Sequence, residues 1–181
     1  MSTAGLAAKR GGADGLAAIN TIKSIVGVNP HTYVSAPAVR GASSVGGYSG
    51  AAVKPIALRF VAELAGNPEL RGMHISGMGG VETWKDALEF LLLGAGSIQI
   101  TTAVMQYGYR IIDDLLEGLL GYLNEKGFRS VEEVVGLGLD SVKDTQELER
   151  DTIVYPKFLR SKCIGCGRCL ISCRDGGHQL A

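Results

Sequence analysis

Three apolar runs in this chain end in polar or glycine residues, and each is followed by a segment of helical periodicity. The first is Gly15-Leu16-Ala17-Ala18-Ile19-Asn20, which reads as a buried strand with Asn20 at its carboxyl end. A long loop rich in Gly, Ser, Pro and Asn runs on to about Ala52. Pro55 then opens a helix, because a proline in the first turn removes no N–H that the helix needs. Ile56, Phe60, Val61 and Leu64 recur at helical spacing, and Gly66 suits its stop. Met73-His74-Ile75-Ser76 is the second strand and meets the glycine turn Gly77-Met78-Gly79-Gly80. A helix is predicted over 82–93, with Trp84, Leu88 and Leu91 as core positions and Gly94 free to close it in the left-handed conformation. Ser97-Ile98-Gln99-Ile100 is the third strand, ending at Thr101-Thr102, and a longer helix is predicted over 109–126. Ser130 to Glu133 matches a capping box and predicts one more short helix.

Strand followed by helix, three times over, implies an α/β fold with a parallel sheet and helices outside it. Open doubly wound sheets and closed barrels both fit. A barrel places its site at the carboxyl ends of its strands, where this sequence sets its glycines, Asn20 and the threonine pair. Three such units are too few to close an eight-stranded barrel, so the remainder is expected to be absent or supplied by another chain.

The 26 glycines, about twice the usual share, fall in short clusters between apolar runs rather than in repeats, which points to loops that cradle a ligand. Eighteen basic and eighteen acidic side chains cancel, so no strong field draws nucleic acid or anionic lipid. Lys9 and Arg10 interrupt the place where a signal peptide carries its apolar core, and runs such as Phe90 to Leu93 are far too short to span a bilayer. The expectation is a soluble, cytoplasmic chain without a membrane partner.

A glycine turn such as Met78-Gly79-Gly80 ahead of a helix lets backbone N–H groups approach a phosphate, and the helix amino terminus adds favourable potential. A tight strand–helix turn with no ligand has the same signature. Thr101-Thr102-Ala103 lies one βα unit later, and barrels often share a phosphate site between consecutive loops of this kind.

Taken in order, Asn20-Thr21, Gly46-Gly47-Tyr48-Ser49-Gly50, Lys54-Pro55-Ile56-Ala57-Leu58, Met78-Gly79-Gly80-Val81 and Gly94-Ala95 through Gln99 resemble the carboxy-terminal half of the dihydroorotate dehydrogenase superfamily barrel. Asn20-Thr21-Ile22-Lys23 through Gly27, with the terminal cysteines, is most similar to the dihydropyrimidine dehydrogenase branch, and the resemblance runs from about Gly11 to Gln179. It implies half of a (β/α)8 TIM barrel that holds FMN over a pyrimidine base. By that resemblance Gly50, Met78, Gly79, Gly80, Thr101 and Thr102 contact FMN, largely through backbone groups around the phosphate, and Asn20 and Thr21 face the pyrimidine. An amide suits a uracil edge because it offers both a donor and an acceptor. Without the resemblance, Asn20 reads as a strand-end turn former.

Cys163, Cys166, Cys169 and Cys173 have the C-x2-C-x2-C-x3-C spacing of bacterial ferredoxins, and Gly165 and Gly167 allow the loop to wrap a cluster. Structural zinc favours two separated C-x2-C pairs or histidine partners. A 4Fe-4S cluster is therefore the expected occupant. The fourth cysteine of such a motif serves the second cluster in two-cluster ferredoxins, and no second motif follows, so the ferredoxin-like segment reads as truncated. A complete site within the chain requires Cys173 to fold back. Arg174 stands where a proline usually follows the fourth cysteine.

The expected division is a partial FMN-binding barrel over 1–145 and a linker with an incomplete cluster segment over 146–181, with the charged 140–151 stretch a solvated connector. In the family, electrons pass from NAD(P)H through an FAD-bearing partner subunit and iron–sulfur centres to FMN, and the 5,6 double bond of uracil or thymine is reduced. The family's proton donor and flavin-side lysine lie in the amino-terminal half of the barrel and have no counterpart here, so no catalytic residue is assigned and the isolated chain is expected to be weak or inactive. His31, His74 and His178 show no partner in sequence and are read as non-catalytic. The rivals are an electron-transfer or assembly module, an inactive truncated frame, and a dihydroorotate dehydrogenase-like enzyme. Unpaired parallel strands at both sides of a half-barrel invite pairing, so a homodimer that closes the barrel is expected.

Overall fold

The computed structural model describes residues 1–149, 151–152 and 157–175, with side chains as far as Ser172. The chain divides into two units, Met1–Lys143 and Asp144–Ala181. His178 lies outside the described residues.

The first unit opens with α1 (Ser2–Arg10) and β1 (Gly15–Ala18). The segment expected to be one long loop is folded further, into β2 (Ile22–Ser24), β3 (Gly27–Val28), β4 (Ser35–Ala36) and β5 (Gly46–Tyr48). β2 pairs with β5 and β3 with β4, both antiparallel. These strands have two or three residues and almost no buried side chains, so no period-two apolar pattern marks them in the sequence. α2 (Lys54–Ala65), β6 (His74–Met78), α3 (Trp84–Leu92), β7 (Ser97–Gln99), α4 (Thr102–Tyr107) and α5 (Arg110–Lys126) complete the main architecture.

β1, β6 and β7 form one parallel sheet in that order, with Leu16 beside Ile75 and Gly77 beside Ile98. Strands alternate their side chains between faces. Leu16, Ile75 and Ile98 join the helix-side core with Val61, Leu64, Phe90, Ile111 and Leu115. Phe90 and Val61 are fully buried, each burial stabilising by about 1.5–3 kcal/mol before entropy is set against it. A smaller cluster of Leu88, Leu91, Leu123 and Val134 seats α5 and the turn after it on α3.

Helix ends follow local chemistry, though not always where the sequence suggested. Pro55 sits in the first turn of α2 as expected. α3 begins with a full capping box: the Thr83 side chain accepts the Asp86 N–H, and the Asp86 carboxylate accepts the Thr83 N–H at 2.7 Å. The capping box expected at Ser130–Glu133 does not form. Glu133 accepts the N–H of Arg129 at 3.0 Å instead, one residue too early, and the segment is a single 3-10 turn, Val131–Glu133. α4 has no counterpart in the sequence reading because six residues are too few for a periodicity to show.

In the second unit a 3-10 turn (Arg160–Lys162) precedes Gly165 and Gly167, both at positive φ, and then α6 (Arg168–Asp175). No described helix is long and apolar enough to cross a membrane.

Candidate functional site

The carboxyl ends of β1, β6 and β7 open onto one cleft of about 280 Å³. All eight barrel residues singled out in the sequence line it: Asn20, Thr21, Gly50, Met78, Gly79, Gly80, Thr101 and Thr102. Parallel strands bring this about, since every strand then delivers its last residues to the same side of the sheet. Ser49, Glu82 and Gln99 line it as well and were not singled out. Gln99 could have been found, because it is the polar residue that alternation places opposite Ile98 at the end of the third strand.

Close packing shapes the cleft wall. Gly80 has φ +76, and a Cβ there would lie 2.6 Å from the Gly50 carbonyl oxygen and 3.0 Å from the Lys54 Cβ. Gly79 has φ +126, and its Cβ would stand 2.9 Å from that of Ala57. A side chain at either position would both strain the backbone and fill the space between the β6 turn and the start of α2. The N–H groups of Gly80 and Val81 donate to no other described residue, although Val81 is buried.

α3 starts four residues beyond Gly80, and N–H groups around its start are engaged locally: Asp86 accepts from Glu82 and Thr83, which precede the helix, and Thr83 accepts from Asp86 in its first turn.

On the opposite side of the cleft, the Thr102 hydroxyl donates to Ser49 Oγ at 3.1 Å, tying the start of α4 to the root of the β2–β5 excursion. Asn20 is exposed, and its Oδ1 accepts the Thr21 N–H at 2.7 Å, which leaves the amide NH2 group for other partners. Lys54 clamps the wall from behind, with Nζ 2.5 Å from Asp86 and 2.9 Å from Glu89. Hydrogen bonds to these two carboxylates raise the Lys54 pKa above its ordinary value. Burial pushes the Asp86 carboxyl up, but hydrogen bonds from Lys54, Thr83 and the Glu82 and Thr83 N–H groups outweigh it and hold the pKa below the usual carboxylate value.

The terminal motif is less organised. Cys163, Cys166 and Cys169 are free and exposed, and Cys173 lies one helical turn after Cys169 on α6. Among the described residues, no group of three or more His, Cys, Asp or Glu is gathered closely enough to hold a metal ion. His31 and His74 both lie outside the cleft lining.

The fold and site define a βα protein with its ligand cleft at the carboxyl ends of parallel strands, walled by a glycine turn and a threonine pair. The family profile for dihydroorotate dehydrogenase matches residues 2–123, and the chain belongs to that family. It is 56% identical over 179 residues to the NAD-dependent dihydropyrimidine dehydrogenase subunit PreA of Escherichia coli, covering 99% of this chain and 44% of that protein. It is 45% identical over 135 residues to the catalytic subunit of dihydroorotate dehydrogenase B (NAD(+)) of Pyrococcus horikoshii, covering 75% and 42%. It is 41% identical over 133 residues to the chloroplastic dihydropyrimidine dehydrogenase (NADP(+)) of Arabidopsis thaliana, covering 72% and 31%. The chain thus spans less than half the length of each of these relatives.

Proposed function

We propose that this chain is the flavin-phosphate and pyrimidine-binding part of a dihydropyrimidine dehydrogenase-type oxidoreductase, the carboxy-terminal half of a (β/α)8 barrel with a cluster-binding extension. The observation that carries the reading is the cleft itself. Gly80 and Val81, whose N–H groups have no partner among the described residues, line the same cleft as Thr101 and Thr102, at the place where family barrels hold a phosphate. The residues fit the FMN phosphate on physical grounds, because the Gly80 and Val81 N–H groups have no acceptor among the described residues and an anion would supply one. A cleft of about 280 Å³ lies just below the usual range for sites that engulf a whole ligand, so it suits one end of a cofactor. FMN, when bound, supplies hydride transfer to or from the pyrimidine ring.

Under this reading the chain's own residues bind and orient. Gly50, Met78, Gly79 and Gly80 and the two threonines hold the phosphate end, while Asn20 and Thr21 present a donor and a hydroxyl to the base. Among the described cleft-lining residues Glu82 is the one titratable side chain, and the proton for the second carbon is assigned, by the family resemblance, to the barrel half this chain lacks. A partner subunit carrying FAD and taking electrons from NAD(P)H supplies the reductant. The identity over nearly the whole chain to a dihydropyrimidine dehydrogenase subunit favours this reading over a dihydroorotate dehydrogenase, whose relatives match three quarters of it. Cluster ligation by Cys163, Cys166, Cys169 and Cys173 is supported by their spacing.

The test is anaerobic purification of the chain, with FMN, iron and acid-labile sulfide measured per molecule. Near-stoichiometric FMN supports the cleft reading, and about four irons with matching sulfide support the cluster. A colourless protein that takes up no FMN on titration refutes the flavin assignment.

A further inference from the structure

The face of the parallel sheet turned away from the helices carries a line of polar side chains. His74 Nε2 lies 2.9 Å from Ser97 Oγ, Ser97 Oγ donates to Ser76 Oγ at 3.0 Å, and Gln99 Nε2 donates to the same Ser76 oxygen at 2.9 Å. His74 thus joins the line at its exposed end, through Ser97. Ser76 is only 9% exposed, and its oxygen is the acceptor on which both arms converge. In this arrangement the Gln99 nitrogen donates to Ser76, and Oε1 has no hydrogen-bond partner among the described residues. Gln99 lines the cleft, two residues before Thr101 on the same strand end. At the rise of an extended strand, that sets it about 7 Å deeper than the threonine side of the phosphate cradle.

We infer that Gln99 Oε1 is an acceptor for the hydroxyls of a polyol chain attached to the bound phosphate, with Ser76 and Ser97 as the positioning residues that aim it. The inference rests on the flavin reading above and adds a contact to it: the ribityl chain of bound FMN would carry the donor hydroxyls that Gln99 accepts. With the nitrogen given to a buried serine, Oε1 is the amide atom that faces those hydroxyls unpaired among the described residues.

The experiment compares two ligands on the full chain by equilibrium fluorescence titration: FMN, and an isoalloxazine phosphate whose alkyl linker carries no hydroxyls. The wild-type protein is expected to prefer FMN by about 5- to 10-fold, the value of one well-placed hydrogen bond. Gln99→Leu should reduce that preference to less than about 2-fold. Gln99→Glu keeps an acceptor oxygen and should restore the preference, whereas Ser76→Ala should weaken it by releasing the amide. Equal preference in wild type and Gln99→Leu overturns the inference and leaves the flavin reading intact. If the wild-type chain binds neither ligand, both readings fail, and that outcome is recognisable from the wild-type titration alone.

Discussion

Replacing Gly80 by alanine separates two physical effects that coincide at the cleft wall. The first is backbone strain: a residue with a Cβ at φ +76 is in the left-handed region, which disfavours it by about 1–2 kcal/mol. The second is overlap, because the new methyl would sit 2.6 Å from the Gly50 carbonyl oxygen and 3.1 Å from the Ala51 Cα. Both are backbone atoms that cannot swing away, so overpacking adds about 1–3 kcal/mol. Gly72 supplies the control, since its φ is +84 and nothing lies within 4 Å of its added Cβ. Gly72→Ala should therefore show the strain alone. At about 3 °C per kcal/mol for a chain of this size, Gly72→Ala should lower the Tm by about 3–6 °C and Gly80→Ala by about 6–15 °C. Differential scanning calorimetry or thermal circular dichroism measures both. FMN titration should show weakened binding only for Gly80→Ala. Equal Tm losses in the two variants would refute the claim that the β6 turn and the start of α2 are in forced contact.

Three further outcomes follow from the same geometry. A Cβ at Gly118 would run into the Trp84 ring, so Gly118→Ala should be destabilising by about 1–3 kcal/mol despite alanine's better helix propensity; Trp84 is the only tryptophan, so its fluorescence in a urea titration reports the change directly. The depressed Asp86 pKa means that its stabilising contribution is present above the ordinary carboxylate range and is lost as pH falls below about 4, while the raised Lys54 pKa gives a contribution present below about 10.5 and lost as pH rises past it; Asp86→Asn should flatten the acid limb of a stability-against-pH curve, and an unchanged limb would reject the clamp. The outer strands β1 and β7 leave unpaired edges, and Leu116 and Leu120 are about 60% exposed one turn apart on α5; light scattering should find a dimer or larger species, and a monodisperse monomer would reject pairing through these surfaces.

How much was legible in the sequence differs element by element. The three parallel strands could be read because each is a short apolar run that ends abruptly in polar or glycine residues, and α2, α3 and α5 because their apolar positions recur at helical spacing. The cleft residues could be located for the same reason: parallel strands send all their carboxyl ends one way, so finding the strand ends finds the site. The two hairpins between β1 and α2 left no such trace, since strands of two or three exposed residues carry no alternation.

Capping was readable only as a pattern without its register. Ser130 to Glu133 has the right residues, but Glu133 turns to the Arg129 N–H, while the box that does form uses Asp86, a residue outside the expected Glu or Gln. Sequence alone therefore determined the α/β class, the order of its main elements and the side of the sheet on which the cleft opens, because these depend on local periodicity and on where chains must turn. Tertiary structure alone decided that Gly80 meets the Gly50 carbonyl, that Lys54 reaches Asp86 across 32 positions, and that Ser76 holds Gln99 by its nitrogen. Those contacts join residues far apart in the chain, and only the packing of strands and helices against one another sets their distances.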